Sequence, residues 1–102
     1  MTVQGNGPPQ RYKVSMSAQT RAVLHDLHAH AIQDGTAAGF LKAVRRAIGL
    51  LHTDPLTFGE PQYRLPALRL MVRQAVVAQL VVDYAVHEDR PLVFIRGFKV
   101  LS

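Results

Sequence analysis

The first regular segment of the chain is marked by strict alternation of apolar and polar residues. Tyr12, Val14 and Met16 are apolar, and each is separated from the next by a polar residue. Because successive side chains of a strand point to opposite faces, this spacing predicts a half-buried strand that begins at Arg11. The preceding residues 1–10 hold two consecutive prolines and two glycines, which interrupt both helices and strands. We therefore predict a flexible tail at residues 1–10 and a single domain at residues 11–102.

A helix is predicted next, because apolar residues now recur every three or four positions. Ser17 offers a side-chain oxygen that can cap a helix beginning near Ala18. Leu24, Leu27 and Ala31 then form the stripe that an amphipathic helix buries.

A second helix follows after a short break at Asp34 and Gly35. Glycine accepts the left-handed conformation that ends many helices, and Thr36 can cap the helix that comes after it. The apolar stripe of this second helix consists of Phe40, Val44, Ala47, Ile48 and Leu51. Two helices joined by so short a connection are expected to pack as an antiparallel hairpin.

Prolines and a glycine interrupt the segment 52–66, which we predict to be a loop. Pro55, Gly59, Pro61 and Pro66 leave no room for a regular element, and we expect the aromatic residues of the segment, Phe58 and Tyr63, to fold back onto the core. Residues 68–74, 76–86 and 92–100 are rich in valine, leucine and aromatics and are predicted to be three strands.

The order of these elements predicts an α+β domain. The connection at residues 88–91 is tight, so the last two strands are expected to pair as an antiparallel hairpin. An N-terminal strand, an antiparallel helical hairpin and a three-strand antiparallel meander together complete a four-stranded sheet with both helices on one face.

Composition and charge narrow the function without naming it. The 102 residues include 12 Lys and Arg against 7 Asp and Glu, and the net charge of +5 favours an anionic partner such as nucleic acid or an acidic protein. No cysteine is present, which excludes disulfides and thiolate chemistry. No apolar run approaches the length of a membrane-spanning helix, so we expect a cytoplasmic protein that does not bind membranes.

The motifs of several enzyme classes are missing. His25, His28 and His30 lie close together, but they lack the spacing of four and the adjacent glutamate of a zinc-protease helix, so we assign no metal. Neither glycine-rich nucleotide fingerprint and no nucleophile elbow is found, and we expect no cofactor. Glu88 and Asp89 are adjacent carboxylates in a tight turn, where they are expected to be solvated rather than catalytic.

Basic side chains are the most informative candidates for a site. Arg64, Arg69 and Arg73 lie in a stretch free of acids, and Arg69 and Arg73 are four apart, which places them on one face of a strand. Guanidinium groups bind phosphate or carboxylate, so we predict that these three arginines bind an anion or a partner. Arg96 and Lys99 are three apart and share a face only if a bulge intervenes at Gly97. Lys42, Arg45 and Arg46 form the polar face of the second helix.

Four segments resemble the RelE/ParE superfamily of bacterial type II toxin-antitoxin systems. They are YKVSMSAQTRAVLHDL, AVRRAIGLLHTDPLTFGEP, RLPALRL and LVVDYAVHEDRPLVFIRGFKVL, and the resemblance extends over residues 11–99. It implies the same order of strand, helical hairpin and strand meander. It also implies a toxin that a cognate antitoxin neutralises.

The two branches of this superfamily imply different activities. RelE-like members resemble ribosome-dependent mRNA endonucleases, whereas ParE-like members bind and inhibit DNA gyrase. The nuclease branch commonly carries an arginine in the third strand, where this chain has Gln79, and a C-terminal histidine, tyrosine or lysine, for which only Lys99 can substitute. With Lys99 and Arg96 as the weak catalytic candidates, whether the protein is an enzyme stays open. We predict a ParE-like toxin that binds a protein target. The alternatives are a RelE-like nuclease and a non-toxic interaction module.

Overall fold

The computed structural model describes residues 11–101, in which the chain forms helices and strands in the order that defines the α+β class. The strands are β1 (Lys13–Met16), β2 (Glu60–Leu65), β3 (Leu70–Val77), β4 (Leu80–His87) and β5 (Leu92–Val100). The helices are α1 (Ala18–Gln33), α2 (Ala37–Thr53) and the short α3 (Pro55–Phe58), and a 3-10 turn spans Pro66–Leu68. The predicted fold class is confirmed. The predicted tail at residues 1–10 lies outside the described residues.

The sheet has the strand order β1-β5-β4-β3-β2 and therefore contains five strands, one more than predicted. β1 runs parallel to β5, and the other neighbours are antiparallel. The additional strand, β2, lies in the segment predicted to be a loop. Pro61 is compatible with β2 because this strand is at the edge of the sheet, where a residue without an N–H leaves no ladder bond unmade.

The turn between β3 and β4 lies later in the chain than the sequence indicates. β3 continues through Val77, and the chain reverses at Ala78 and Gln79. Ala78 has a φ of 55°, a left-handed conformation that usually requires glycine or asparagine. Because this turn uses neither residue, no local signal marks it in the sequence.

Two of the three residues predicted to begin or end a helix are confirmed. The Ser17 hydroxyl oxygen accepts a hydrogen bond from the Thr20 N–H at 3.1 Å, as expected of a cap. Gly35 ends the first helix segment with a φ of 75°. Thr36 occupies the N-cap position of α2, but the predicted side-chain cap is wrong, because its hydroxyl donates to the Ala31 carbonyl at 3.4 Å and makes no capping bond to α2.

The core lies between α2 and the middle of the sheet. The helix contributes a buried stripe made of Phe40, Ala43, Ala47 and Leu51. The strands contribute Ala75, Leu80, Val82, Tyr84, Val86, Val93, Ile95 and Phe98. Burying each large aliphatic side chain contributes roughly 1.5–3 kcal/mol, so this contact is the main source of stability. α1 is attached more loosely, because Leu24 and Leu27 are only half-buried.

The pairing register also shows which strand residues point away from the helices. The side of the sheet that carries them is here called the outer face. Among the residues it carries are Glu60 and Tyr63 of β2, Val72, Gln74 and Val76 of β3, Val81, Asp83 and Ala85 of β4, and Phe94, Arg96 and Lys99 of β5. No helix packs on this face in residues 11–101. Within the same residues, no helix has the length and apolar composition that a membrane crossing requires.

Candidate functional site

The middle of the outer face is a row of four side chains, one from each of four neighbouring strands. Tyr63 pairs with Val72, Val72 with Ala85, and Ala85 with Phe94. The two aromatic residues at the ends are 51% and 36% exposed, whereas Val72 and Ala85 are buried. Large side chains at the ends and small ones in the centre give the face a shallow apolar floor between two aromatic walls.

Arg96 extends across this floor from β5 to β2. Its Nη1 donates a hydrogen bond to the Tyr63 hydroxyl at 2.9 Å, and its guanidinium carbon lies 5.9 Å from the centre of the Tyr63 ring. The contact combines a hydrogen bond with a cation-π interaction. It joins two strands that are separated by both β3 and β4.

A bulge in β5 brings Arg96 and Lys99 to the same face. Asp83 lies opposite Gly97 and Tyr84 lies opposite Ile95, so Arg96 is an extra residue in its strand. Ile95 and Phe98 consequently point toward the helices and are buried, while Arg96 and Lys99 are exposed. The bulge that the sequence analysis allows at Gly97 is therefore present, and it places both catalytic candidates on the outer face.

In the described chain, two carboxylates share the outer face with these cations: Asp83 of β4, and Glu60 of β2, which lies opposite Gln74. Asp83 Oδ1 accepts a hydrogen bond from the Gln74 side-chain amide at 2.8 Å, and both residues are half-buried. The face thus presents a guanidinium, an ammonium, two carboxylates and a phenol around an apolar floor. Such a surface can bind a phosphate backbone through its cations or a protein through its aromatic residues.

Arg64 and Arg69, two of the predicted binding residues, form ion pairs within the chain. Arg64 donates two hydrogen bonds to Glu88, and Arg69 pairs with Asp89. Hydrogen bonding to these guanidinium groups lowers the pKa of both carboxyl groups and raises the pKa of both arginines. Both arginine side chains stay more than half exposed, so the pairs lie at the surface.

The predicted shared strand face of Arg69 and Arg73 is wrong. Arg69 precedes β3 and closes the 3-10 turn with a φ of 56°, whereas Arg73 lies within β3. Arg73 donates to the Gly59 carbonyl at 3.0 and 3.2 Å and to the Leu56 carbonyl at 2.5 Å. Its guanidinium therefore holds the end of α3 against the sheet.

Tyr84 completes the attachment of α3, and the sequence analysis did not identify it. Its hydroxyl donates to the Pro55 carbonyl at 2.6 Å and accepts from the Gly59 N–H at 2.8 Å. Burial raises the pKa of this phenol. A Cβ at Gly59 would lie 2.6 Å from the Tyr84 hydroxyl, so this position requires glycine. The sequence analysis noted Pro55 and Gly59 as residues that interrupt regular structure. Their hydrogen-bond partner, Tyr84, is distant along the chain, so no local pattern connects it to them.

The other candidates from the sequence lie away from the outer face. The His28 ring stacks on Phe40 with centroids 6.0 Å apart, and His30 Nδ1 lies 2.9 Å from the Asp26 carbonyl. Over residues 11–101, no three His, Asp or Glu side chains are arranged to hold a metal ion. Gln79 is exposed in the β3–β4 turn, and Tyr63 is exposed instead of folding onto the core; Phe58 packs on the core as predicted.

Comparison with solved structures reveals a likeness in fold. No protein-family profile and no curated protein matches this sequence. Among solved structures, the chain is similar to a chain of the toxin-antitoxin complex RelBE2 from Mycobacterium tuberculosis, with 22% identity and a TM-score of 0.65. The match covers 89% of this chain and 99% of that chain. It confirms the fold that the resemblance to the RelE/ParE superfamily implies.

Proposed function

We propose that this protein is the toxin component of a type II toxin-antitoxin pair and that an antitoxin protein neutralises it. The proposal rests on the fold, because the structural match covers 99% of a chain from a toxin-antitoxin complex. A match of that extent includes the helical hairpin and the sheet together rather than one common motif.

We infer further that the protein acts by binding a protein target, as ParE-like toxins bind DNA gyrase. The outer face supports this mode because Tyr63, Val76 and Phe94 expose apolar surface around a buried floor. Aromatic residues and arginine are enriched in the centres of protein interfaces. We also assign Arg64 and Arg69 to target binding, at the end of the sheet beside the outer face, since an exposed ion pair contributes at most about 1 kcal/mol and a partner carboxylate can replace it.

Intramolecular pairing of the polar groups favours binding over catalysis. Attack of a ribose 2′-hydroxyl on phosphate requires a positioned base and a positioned acid. Asp83 accepts a hydrogen bond from Gln74, and Arg96 donates one to Tyr63. Arg73 binds the carbonyl groups at the end of α3, so we do not include it in the proposed surface.

One observation favours RNA cleavage as a second candidate function. The β5 bulge gathers Arg96 and Lys99 on the face that also carries Asp83 and Tyr63. A guanidinium can stabilise the charge that develops on phosphate, and an ammonium or phenol can donate a proton to the leaving oxygen. These groups would then act on mRNA bound across the outer face.

Growth and transcript measurements separate the two candidates. We expect that induced expression slows growth, that mapped mRNA ends stay unchanged, and that the purified protein inhibits supercoiling by DNA gyrase. Phe94→Glu should remove the inhibition, whereas Leu68→Glu, on a side chain 61% exposed in the 3-10 turn, should retain it. New transcript ends that disappear in the Arg96→Gln, Lys99→Gln variant would establish cleavage instead.

The antitoxin is tested separately. We expect the adjacent reading frame to encode a small acidic DNA-binding protein that co-purifies with this chain and restores growth. Normal growth under strong induction of folded protein would instead support a non-toxic interaction module.

A further inference from the structure

A cavity lies at the end of the molecule where the connection between α1 and α2 approaches the turn between β3 and β4. It has a volume of about 240 Å³, and none of the outer-face residues named above lines it. Its inner wall consists of four buried side chains, none more than 8% exposed: Ala31 of α1, Phe40 and Ala43 of α2, and Leu80 of β4. We call this space the end cavity.

Small residues keep the end cavity open. Gly39, Ala43 and Ala78 line it, and a Cβ at Gly39 would meet no atom within 4 Å. The larger side chains of the wall, Phe40 and Leu80, are held in the core and do not fill the remaining space. An apolar group that displaced water from this wall would gain free energy.

The β3–β4 turn brings a strained residue to the end cavity. Ala78 has a φ of 55°, where glycine would be free of strain, and its exposed methyl group is part of the cavity lining. Residues in such conformations persist where the surrounding structure holds them, and they cluster at ligand sites. The methyl group of Ala78 adds apolar surface at the mouth of the cavity.

Polar side chains at the rim of the end cavity offer a negative charge and hydrogen-bond acceptors. His30, Asp34 and Gln79 are exposed and line it, and within residues 11–101 the Asp34 carboxylate forms no ion pair. His30 Nδ1 lies 2.9 Å from the Asp26 carbonyl. Because a carbonyl only accepts, Nδ1 carries the ring hydrogen, and Nε2 of the neutral imidazole is an acceptor.

Cations are missing from the lining of the end cavity in the described chain. The nearby Lys42 and Arg46 line a neighbouring depression instead. The two helix ends at the cavity have opposite effects, because the C-terminus of α1 attracts cations and the N-terminus of α2 attracts anions. Asp34 is therefore the charge that selects an occupant.

We propose that the end cavity binds a small organic amine, in which a protonated amino group is joined to an aromatic or branched aliphatic body. The body packs against Phe40 and Leu80, and the ammonium group donates to the Asp34 carboxylate. An apolar cavity of ~150 Å³ holds benzene, so the end cavity has room for one ring and a short arm. The inference goes beyond the proposed function, since it depends on neither the target nor the antitoxin.

Titration of the full chain with phenethylamine tests the class of ligand. We expect the amide signals of Ala43, Leu80 and Val100 to shift, with a Kd of about 1 mM or tighter. Hydrocinnamate, an anion of similar size, should bind at least about tenfold more weakly. Because the net charge of the chain is +5, non-specific attraction alone would favour the anion. Equal binding of the two compounds, or shifts confined to the outer face, would overturn the proposal.

A cavity-filling variant tests the place of binding. Gly39→Leu adds a side chain where there is open space, so it should abolish phenethylamine binding without lowering the melting temperature, since leucine favours helix more than glycine does. Gly49→Leu is the matched control, because Gly49 is also in α2 and also faces open space but does not line the end cavity. Binding to the Gly39→Leu variant with the affinity of the parent would place the site elsewhere.

A second pair of variants tests the selecting charge. Asp34→Asn should reduce phenethylamine affinity by about fivefold to tenfold while the same amide signals still shift. Asp26→Asn, at an exposed residue of α1 that does not line the end cavity, should bind like the parent. Unchanged affinity of the Asp34→Asn variant, or an equal loss in both variants, would contradict recognition of the amino group by Asp34 and overturn the proposal.

Discussion

Two groups of basic side chains in this protein have the same charge but different surroundings. Arg64, Arg69 and Arg73 surround α3 and the β4–β5 turn, and each binds carboxylates or carbonyl groups of the same chain. Arg96 and Lys99 lie on the outer face, where Arg96 contacts the Tyr63 phenol and neither forms an ion pair within residues 11–101. The first group is paired within the chain, and Arg73 in it holds α3, whereas the second group forms no ion pair in the described residues and is open to a partner.

The difference arises from where the acidic residues lie. Glu88 and Asp89 follow β4 directly and therefore reach the arginines at the same end of the sheet. Within residues 11–101 the outer face carries Asp83, which is hydrogen-bonded to Gln74, and Glu60 on the edge strand, and neither carboxylate forms an ion pair. A stretch of sequence without acidic residues therefore does not identify a binding site, because folding can bring carboxylates from elsewhere in the chain to its arginines.

The largest effect is expected at the attachment of α3. Gly59→Ala places a Cβ 2.6 Å from the Tyr84 hydroxyl and 2.8 Å from the Gln74 carbonyl, so it should lower the free energy of unfolding by about 3 kcal/mol. Gly49→Ala is the control, because a Cβ there meets nothing within 4 Å and should add about 0.5–1 kcal/mol of helix stability. Urea unfolding measures both, and a neutral Gly59→Ala would contradict a tight α3 contact.

The Tyr84 hydroxyl should have the next largest effect. Tyr84→Phe removes two hydrogen bonds in a buried site and should cost about 2 kcal/mol. Because burial raises the folded-state pKa above the ordinary 10.0, the protonated phenol stabilises the fold below pH 10, and this stability is lost as pH rises through the folded-state pKa.

Urea unfolding at neutral and at alkaline pH tests both parts of this prediction. The Tyr84→Phe variant should lose less stability on the alkaline side than the parent does. Tyr63→Phe, on a side chain 51% exposed, is the matched control and should change stability by less than about 0.5 kcal/mol. Equal effects of the two substitutions would contradict a special role for Tyr84.

A pair of arginine substitutions tests the comparison most directly. Arg73→Met should lower the free energy of unfolding by about 1–2 kcal/mol, because it leaves the carbonyl groups of Leu56 and Gly59 without their donor. Arg96→Met keeps the side-chain volume on an exposed face and should cost less than about 0.5 kcal/mol. If Arg96→Met were the more destabilising, the division between structural and available arginines would be wrong.

The smallest effect concerns the acid dependence of the surface ion pairs. The arginines lower the pKa of Glu88 and Asp89, so the pairs stabilise the fold above the ordinary carboxyl pKa values of 4.5 and 3.8. That stability is lost as pH falls through the lowered values. The Glu88→Gln, Asp89→Asn double variant should therefore show a shallower decline of melting temperature on acidification. An unchanged decline would show that the pairs do not contribute.

Local signals predicted the two long helices, α1 and α2, but missed the short helix α3 and the strand β2, which both lie in the segment predicted to be a loop. Ser17, Gly35 and the stripe of α2 are read directly from residue type and spacing, and the structure confirms them. The segment holding β2 was predicted to be a loop because of its prolines and glycine, and Pro61, which lies within β2, is normally excluded from a sheet interior. Because β2 lies at the edge of the sheet, a proline within it is tolerated. No local pattern in the sequence shows which strand lies at an edge.

The candidate site was predictable in its residue types and less so in its geometry. Spacing alone left Arg96 and Lys99 on opposite faces, and only the bulge at Gly97 brings them together. Spacing placed Arg69 beside Arg73, but the left-handed turn at Arg69 separates them. Both outcomes depend on single backbone irregularities, which residue periodicity does not encode.

The sequence by itself determined the α+β class, the helical hairpin and an excess of arginine, because hydrophobic periodicity and charge are properties of neighbouring residues. Only the tertiary structure decided which arginines form ion pairs, that Tyr84 holds α3, and that a bulge brings Arg96 and Lys99 to one face. These features depend on contacts between residues far apart in the chain, and such contacts are fixed by strand order and register rather than by any local run of residues.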